Sequence, residues 1–244
     1  MNGLVFDEAR HRYTLDGKPV PGVTSILSGG LPKPGLTWWA AKTVAETAVL
    51  ELSRLSSDVE AGRTEDAVKW LKSSPFKERD RAAARGTAVH ALAEQVVAGL
   101  EVDVPVDHAN LVAGYVDFLD DNDVEPLLVE AKVASRAHWY AGTADLFATM
   151  GGQTWLFDLK TSRSVHGSYF LQLAAYAMAD FYLDADGAEQ PVPLVDRIGV
   201  IHVTEEGSRL YEGPPVDEAF SAFQAVKQVA SLAPVIDGWA PKNS

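Results

Sequence analysis

Residues 142–160 read GTADLFATMGGQTWLFDLK, and they run on through 161–176 as TSRSVHGSYFLQLAAY. Two strand-like runs flank Gly151-Gly152, a dipeptide that predicts a tight β-hairpin. A two-residue turn there pairs Met150 with Gln153. Carried along the strands, the same register sets Asp145 opposite Asp158. Directly opposed like charges destabilise a sheet, so a cation between them is the expected compensation. Lys160 lies two residues past Asp158 and therefore on the same face. The register predicts one apolar face from Ala144, Leu146, Ala148, Trp155, Phe157 and Leu159. The opposite face takes Thr143, Asp145, Phe147, Thr149, Thr154, Leu156, Asp158 and Lys160, with the polar chemistry at one end. A slip by one residue would drive both aspartates into the core, so the register is strongly specified.

The rest of the chain fits around this hairpin. Strands are predicted near 4–6, 11–15, 126–135, 139–149, 153–160, 197–204 and 209–211. Helices are predicted over about 37–55, 64–73, 77–99, 106–119, 167–182 and 216–232, with Thr37 capping the first. The two prolines of Leu31-Pro32-Lys33-Pro34-Gly35 mark a loop, and Ser73-Ser74-Pro75 is expected to separate two helices. The order is helices, then antiparallel strands, then helix–strand–helix. That predicts an α/β fold, a small mixed central sheet flanked by helices with a helical N-terminal part.

Composition narrows the function. The 244 residues, 47% of them hydrophobic, support one substantial core. The chain has no cysteine, which excludes disulfides, thiolate metal sites and a Cys-ligated iron–sulfur cluster. Met1-Asn2-Gly3-Leu4-Val5-Phe6 is no signal-peptide start, and no run approaches a membrane span, so a soluble cytoplasmic protein is expected. The net charge of −13 argues against simple nucleic-acid affinity, but its distribution is uneven. Residues 63–85 hold seven basic and four acidic side chains. Residues 86–160 hold three basic and twelve acidic ones. The basic stretch includes Arg79, Arg81 and Arg85, and Arg163 follows the hairpin.

Carboxylates about 5 Å apart across a hairpin suit oxygen-ligated Mg²⁺ or Mn²⁺. Such an ion neutralises a phosphate and acidifies a bound water. Lys160 beside it can orient that water or stabilise the transition state. Gln172 and Tyr176, four apart on the following helix, share a face from which an amide and a phenol can hold a phosphate or Lys160. His90 and Glu94 share a face of an earlier helix; His90 suits a neutral imidazole ligand, and Glu94 a second metal or an acceptor for His90. Three features read as ordinary structure. Trp38 and Trp39 suit base stacking but more commonly enter the core. The acids at Asp117, Asp120, Asp121, Asp123 and Glu125 suit a solvated turn. His11, His108, His138, His166 and His202 stand outside this constellation.

Gly86…His90…Glu94, Gly142…Asp145, Asp158-x-Lys160 and Gln172-x-x-x-Tyr176 together resemble the PD-(D/E)xK nuclease superfamily. The resemblance is greatest to RecB-like and Cas4-like exonucleases of bacteriophages. His11-Arg12-Tyr13-Thr14-Leu15-Asp16-Gly17…Pro21-Gly22-Val23-Thr24-Ser25-Ile26-Leu27 is similar to the start of such phage proteins. The resemblance spans about residues 5–205. It implies a restriction-endonuclease-like core within a single nuclease domain over 1–244. N-terminal strands and helices would fill 1–85, the catalytic core 86–205, and a closing helix and tail 206–244. It implies metal ligation by His90, Asp145, Asp158 and the Leu159 carbonyl, with Lys160 as the catalytic lysine. Gln172 and Tyr176 match the motif after the core, Glu94 is a further catalytic candidate, and Glu130 matches an acidic position often seen before the hairpin. Arg79, Arg81, Arg85 and Arg163 would guide DNA. Many relatives carry four iron–sulfur cysteines; this chain has none. The implied protein is therefore a cluster-free, Mg²⁺- or Mn²⁺-dependent DNA exonuclease of phage recombination, replication or repair. DNA is its expected partner, with a single-strand annealing protein as a further one. A structure-selective endonuclease and a non-catalytic DNA- or protein-binding module are the alternatives.

Overall fold

Seven strands form one mixed sheet in the order β10-β9-β6-β5-β4-β7-β8. The computed structural model describes residues 3–10 and 12–239; His11 lies outside them. The large sheet is built from β4 (Glu125–Ser135), β5 (Tyr140–Met150), β6 (Gln153–Lys160), β7 (Phe181–Leu183), β8 (Glu189–Gln190), β9 (Arg197–Thr204) and β10 (Gly207–Glu212). A three-stranded sheet precedes it, made of β1 (Leu4–Asp7), β2 (Arg12–Leu15) and β3 (Lys18–Val20). The helices are α1 (Val23–Gly30), α2 (Pro34–Leu50), α3 (Leu52–Glu60), α4 (Thr64–Val97), α5 (Ala109–Asp121), α6 (Gly167–Ala177) and α7 (Val216–Asp237). The mixed α/β fold is the one the sequence predicts. Among the described residues, no helix is long and apolar enough to cross a membrane.

The hairpin takes the predicted register. Met150 pairs with Gln153, and the ladder continues to Leu146 opposite Phe157. Gly151 and Gly152 have φ of 58° and 74°, the left-handed values that a tight two-residue hairpin turn needs. β9 then pairs with β6 in parallel, with Lys160 beside His202. A parallel partner needs a crossover rather than a tight turn, and α6 lies in that connection.

Both faces of the sheet are buried, which departs from the expectation of one apolar face. Leu146, Ala148, Trp155, Phe157 and Leu159 pack with Val89 and Ala93 of α4 and with Leu111, Tyr115 and Phe118 of α5. Phe147 and Leu156, assigned by alternation to the other face, meet a second core. That core contains Ile26 of α1, Leu173 and Tyr176 of α6, and Phe223 of α7. Crossover helices cover both sides of a sheet that contains a parallel pair, so each face must be apolar.

Several boundaries differ from the predicted ones. Pro34 begins α2 instead of ending a loop: the first helical position needs no N–H, so proline is tolerated there. Thr37 therefore lies inside α2, and the stretch predicted as one helix over 37–55 divides at Glu51. Helix α4 continues through Pro75. Proline removes the hydrogen bond that its N–H would give to Leu71. Ser74 Oγ donates to that Leu71 carbonyl at 2.8 Å, and Ser73 Oγ donates to the Trp70 carbonyl at 2.6 Å, so these acceptors are satisfied. Helix α6 stops at Ala177, and β7 occupies part of the region predicted as its last turn. There Phe181 pairs with Ala134 of β4.

The chain divides into two compact units, residues 1–31 with 89–244, and residues 32–88. The first holds both sheets, α1 and α5 to α7, and residues 89–97 of α4. The second holds α2, α3 and the first part of α4.

Candidate metal centre

A fault in the strand pairing creates the site. Ala131 pairs with Ala144 and Val129 with Leu146, while Glu130 and Asp145 between them are not joined as a ladder pair. Ala131 and Ala144 belong to the core under α1 and α6, whereas Val129 and Leu146 pack in the core under α4 and α5. Residues two apart on a regular strand share a face, so both strands change faces here. Glu130 carries the change, with a φ of 49°. A left-handed conformation in a non-glycine residue costs about 1–3 kcal/mol and persists only where the surroundings enforce it. The fault sets both acids in a cavity at the margin of the core under α4 and α5, walled by Ala93, Tyr115 and Leu159.

His90 of α4 joins them. One ligand atom from each of His90, Glu130 and Asp145 lies within 4.8 Å of the others. His90 Nδ1 is 3.5 Å from Asp145 Oδ2. The same oxygen accepts a 3.0 Å hydrogen bond from the Leu159 backbone N–H. In an uninterrupted ladder that N–H would face the Ala144 carbonyl, so the carboxylate takes the place of a sheet acceptor. The cavity they line, with Glu94, Tyr115 and Leu159, has a volume of about 20 Å³. That is room for one water or one ion.

Electrostatics distinguish this pocket from a surface cluster. Burial pushes the Glu130 carboxyl up to about 7, and the charges of Asp145 and Glu94 push the same way. Burial likewise raises Asp158, outweighing the opposing Lys160 charge, with Asp145 adding to the rise. Lys160 is itself largely buried, which lowers its pKa. Asp158 and Asp145 more than offset that, so its ammonium stays protonated. Two half-buried carboxylates beside an imidazole nitrogen, one of them raised by burial and by its neighbours' charge, form a donor set suited to a divalent cation. The residues therefore fit the expected Mg²⁺ or Mn²⁺.

The predicted site residues fall into distinct groups. His90 and Asp145 meet as expected, and Glu130 completes the cluster. Asp158 lies outside that three-residue cluster. Its Oδ2 is 2.6 Å from Lys160 Nζ, as an ion pair without an aligned hydrogen bond, and its Oδ1 accepts from Gln172 Nε2 at 3.2 Å. The Leu159 carbonyl accepts from Lys160 Nζ at 3.3 Å. Gln172 thus holds Asp158 rather than Lys160. Tyr176 is buried against Gly142, where an added Cβ would fall 2.3 Å from the Tyr176 ring. Glu94 is exposed at the cavity wall. Arg163 is exposed in the turn after β6. Arg79, Arg81 and Arg85 are exposed in the second unit, where Arg79 pairs with Asp80 at 2.6 Å.

Two contributors escape a reading of the sequence. Tyr115 of α5 lines the cavity, yet it looks like one more core aromatic in a helical pattern. The Tyr169 ring centroid lies 5.1 Å from Lys160 Nζ. The central place of Glu130 is signalled weakly, by an acid interrupting the apolar run Leu127-Leu128-Val129.

No protein-family model matches the chain, and no curated protein matches it. A solved structure described as SSO0001 shows a distant likeness, at 18% identity and a TM-score of 0.30. The match covers 53% of this chain and 58% of that one, so it spans little more than half of either. A likeness at that score says nothing about activity.

Proposed function

We propose that the protein is a divalent-metal-dependent deoxyribonuclease acting as an exonuclease. The observation that supports this most is the meeting of His90 of α4 and Glu130 of β4 with Asp145 of β5, next to the strand that carries the buried Asp158–Lys160 pair. His90, Glu130 and Asp145 would hold the ion, and Asp158 on β6 holds Lys160. With a divalent ion bound, the site gains charge neutralisation at the scissile phosphate and a more acidic water. Lys160, protonated and fixed by Asp158, places positive charge where the phosphorane develops its negative charge. Gln172 fixes Asp158 in turn. Arg163, and the arginines at 79, 81 and 85, contact the DNA backbone through charge. The sequence resemblance implies a 5′-phosphate on the released product and a role in phage DNA recombination, replication or repair.

End-labelled linear DNA, single- and double-stranded, incubated with Mg²⁺, Mn²⁺ or EDTA tests the reading. Cleavage is expected with either metal and absent in EDTA, with covalently closed circles left intact. Asp158→Ala and Lys160→Ala are expected to lose cleavage by roughly a hundredfold or more while remaining folded. Full activity in both folded variants removes the assignment. Cutting of closed circles would make the enzyme an endonuclease.

A further inference from the structure

His202 has no place in the constellation read from the sequence, yet it occupies a specific one in the structure. It lies on β9 directly beside Lys160 in the parallel register and is among the few buried polar residues described. Its Nε2 is 2.6 Å from the Ser162 carbonyl oxygen. A carbonyl only accepts, so Nε2 carries the hydrogen. Ser162 is two residues past Lys160, in the turn that also carries Arg163. The Ser162 hydroxyl donates to the Ser164 carbonyl at 2.9 Å and lies 3.4 Å from the Tyr169 hydroxyl. Tyr169, in the first turn of α6, presents its ring to the Lys160 ammonium. The contacts close a circuit from β9 through the turn to α6 and back to the end of β6.

We propose that His202 is a positioning residue: its hydrogen bond to the Ser162 carbonyl holds the turn after β6, and that turn keeps Tyr169 against Lys160. A lysine at the end of a strand has four rotatable side-chain bonds and an irregular segment behind it; Asp158 holds the ammonium from one side, and the braced Tyr169 ring limits it from another. The proposal rests on reading Lys160 as the cation of the reaction, and the closing test separates the two.

The test uses the full chain with His202→Ala, His202→Gln and His202→Asn. A glutamine amide nitrogen reaches about as far as Nε2, whereas an asparagine amide reaches only about as far as Nδ1. On linear DNA with Mn²⁺, His202→Ala should lower kcat by about tenfold with little change in KM, the signature of an interaction used in the transition state. His202→Gln should restore most of that loss, and His202→Asn should not. A second readout needs no turnover. Lysines are labelled with ¹³C at Cε, and the Lys160 resonance is assigned by its loss in Lys160→Arg. That resonance should shift in His202→Ala and return in His202→Gln. If the wild type cleaves no DNA but the resonance follows this pattern, the nuclease reading falls and the brace stands. An unmoved resonance with wild-type kcat in folded His202→Ala overturns the brace.

Discussion

Glu130 is the residue on which the candidate site turns. It accepts a left-handed backbone, sits with a carboxyl raised to about 7, and interrupts the pairing of two central strands. A carboxyl whose folded pKa exceeds its unfolded value binds more protons in the native state between those values. Its contribution to stability is therefore present below the unfolded pKa, near 4.5, and is lost as pH rises towards about 7. In EDTA, the thermal midpoint of the wild type should fall from pH 4.5 to pH 7.5 more than that of Glu130→Gln. Differential scanning calorimetry measures both, and parallel curves would mean that Glu130 is not desolvated. Mn²⁺ should raise the wild-type midpoint more at pH 7.5 than at pH 5, because ligation needs deprotonated groups. Glu130 is visible in the sequence as an acid in an apolar run and, through the resemblance, as a match to an acidic position before the hairpin. Its conformation depends on strand partners that no local pattern encodes.

Among the elements, the β5–β6 hairpin is the most legible. Its turn and register follow from alternation and a Gly-Gly pair, and the ladder keeps that register as far as Leu146 and Phe157; the expected pairing of Asp145 with Asp158 beyond it is not formed, because β5 changes face there. Replacing Gly151-Gly152 with Ala-Ala forces two L-residues into left-handed conformations at about 1–2 kcal/mol each. Urea denaturation should show a loss of about 2–4 kcal/mol. A change below about 0.5 kcal/mol would mean that the turn relaxes into another type. Gly142 is constrained by space instead, since Tyr176 of α6 fills the volume of a Cβ. Gly142→Ala should cost about 1–3 kcal/mol by overpacking, and Gly142→Ala with Tyr176→Phe should recover little, because the clash begins at the ring. Elements far from the hairpin are less legible. Pro75 predicts a break because sequence rules weigh the missing N–H, and they do not see Ser74 supplying a hydroxyl to the freed carbonyl. The end of α6 is hidden because the strand that follows it, β7, draws its stability from β4.

For the whole molecule, charge poses the sharpest problem. On the proposed function, a chain of net charge −13 must localise its attraction to DNA. The basic stretch at 63–85 lies on α4 and the segment before it, in the second compact unit, and the acidic centre lies in the first. Arg79→Ala, Arg81→Ala and Arg85→Ala combined should weaken binding of single- and double-stranded DNA alike. The combined variant should also flatten the slope of log affinity against log salt by up to about three, one for each phosphate left without its arginine. Fluorescence anisotropy over a salt series measures it, and an unchanged slope would move the DNA path away from that helix.

Alternation and glycine placement by themselves determined the hairpin, and the order of elements the α/β class, because those signals are local and a strand's period leaves little choice of face. Only the tertiary structure decided that both sheet faces are buried, that Glu130 completes the cluster with His90 and Asp145, that Asp158 pairs with Lys160 and Gln172, and that His202 reaches the Ser162 carbonyl. Each of these depends on groups far apart in the chain competing for the same space or the same charge, and that competition exists only once the helices have packed against the sheet.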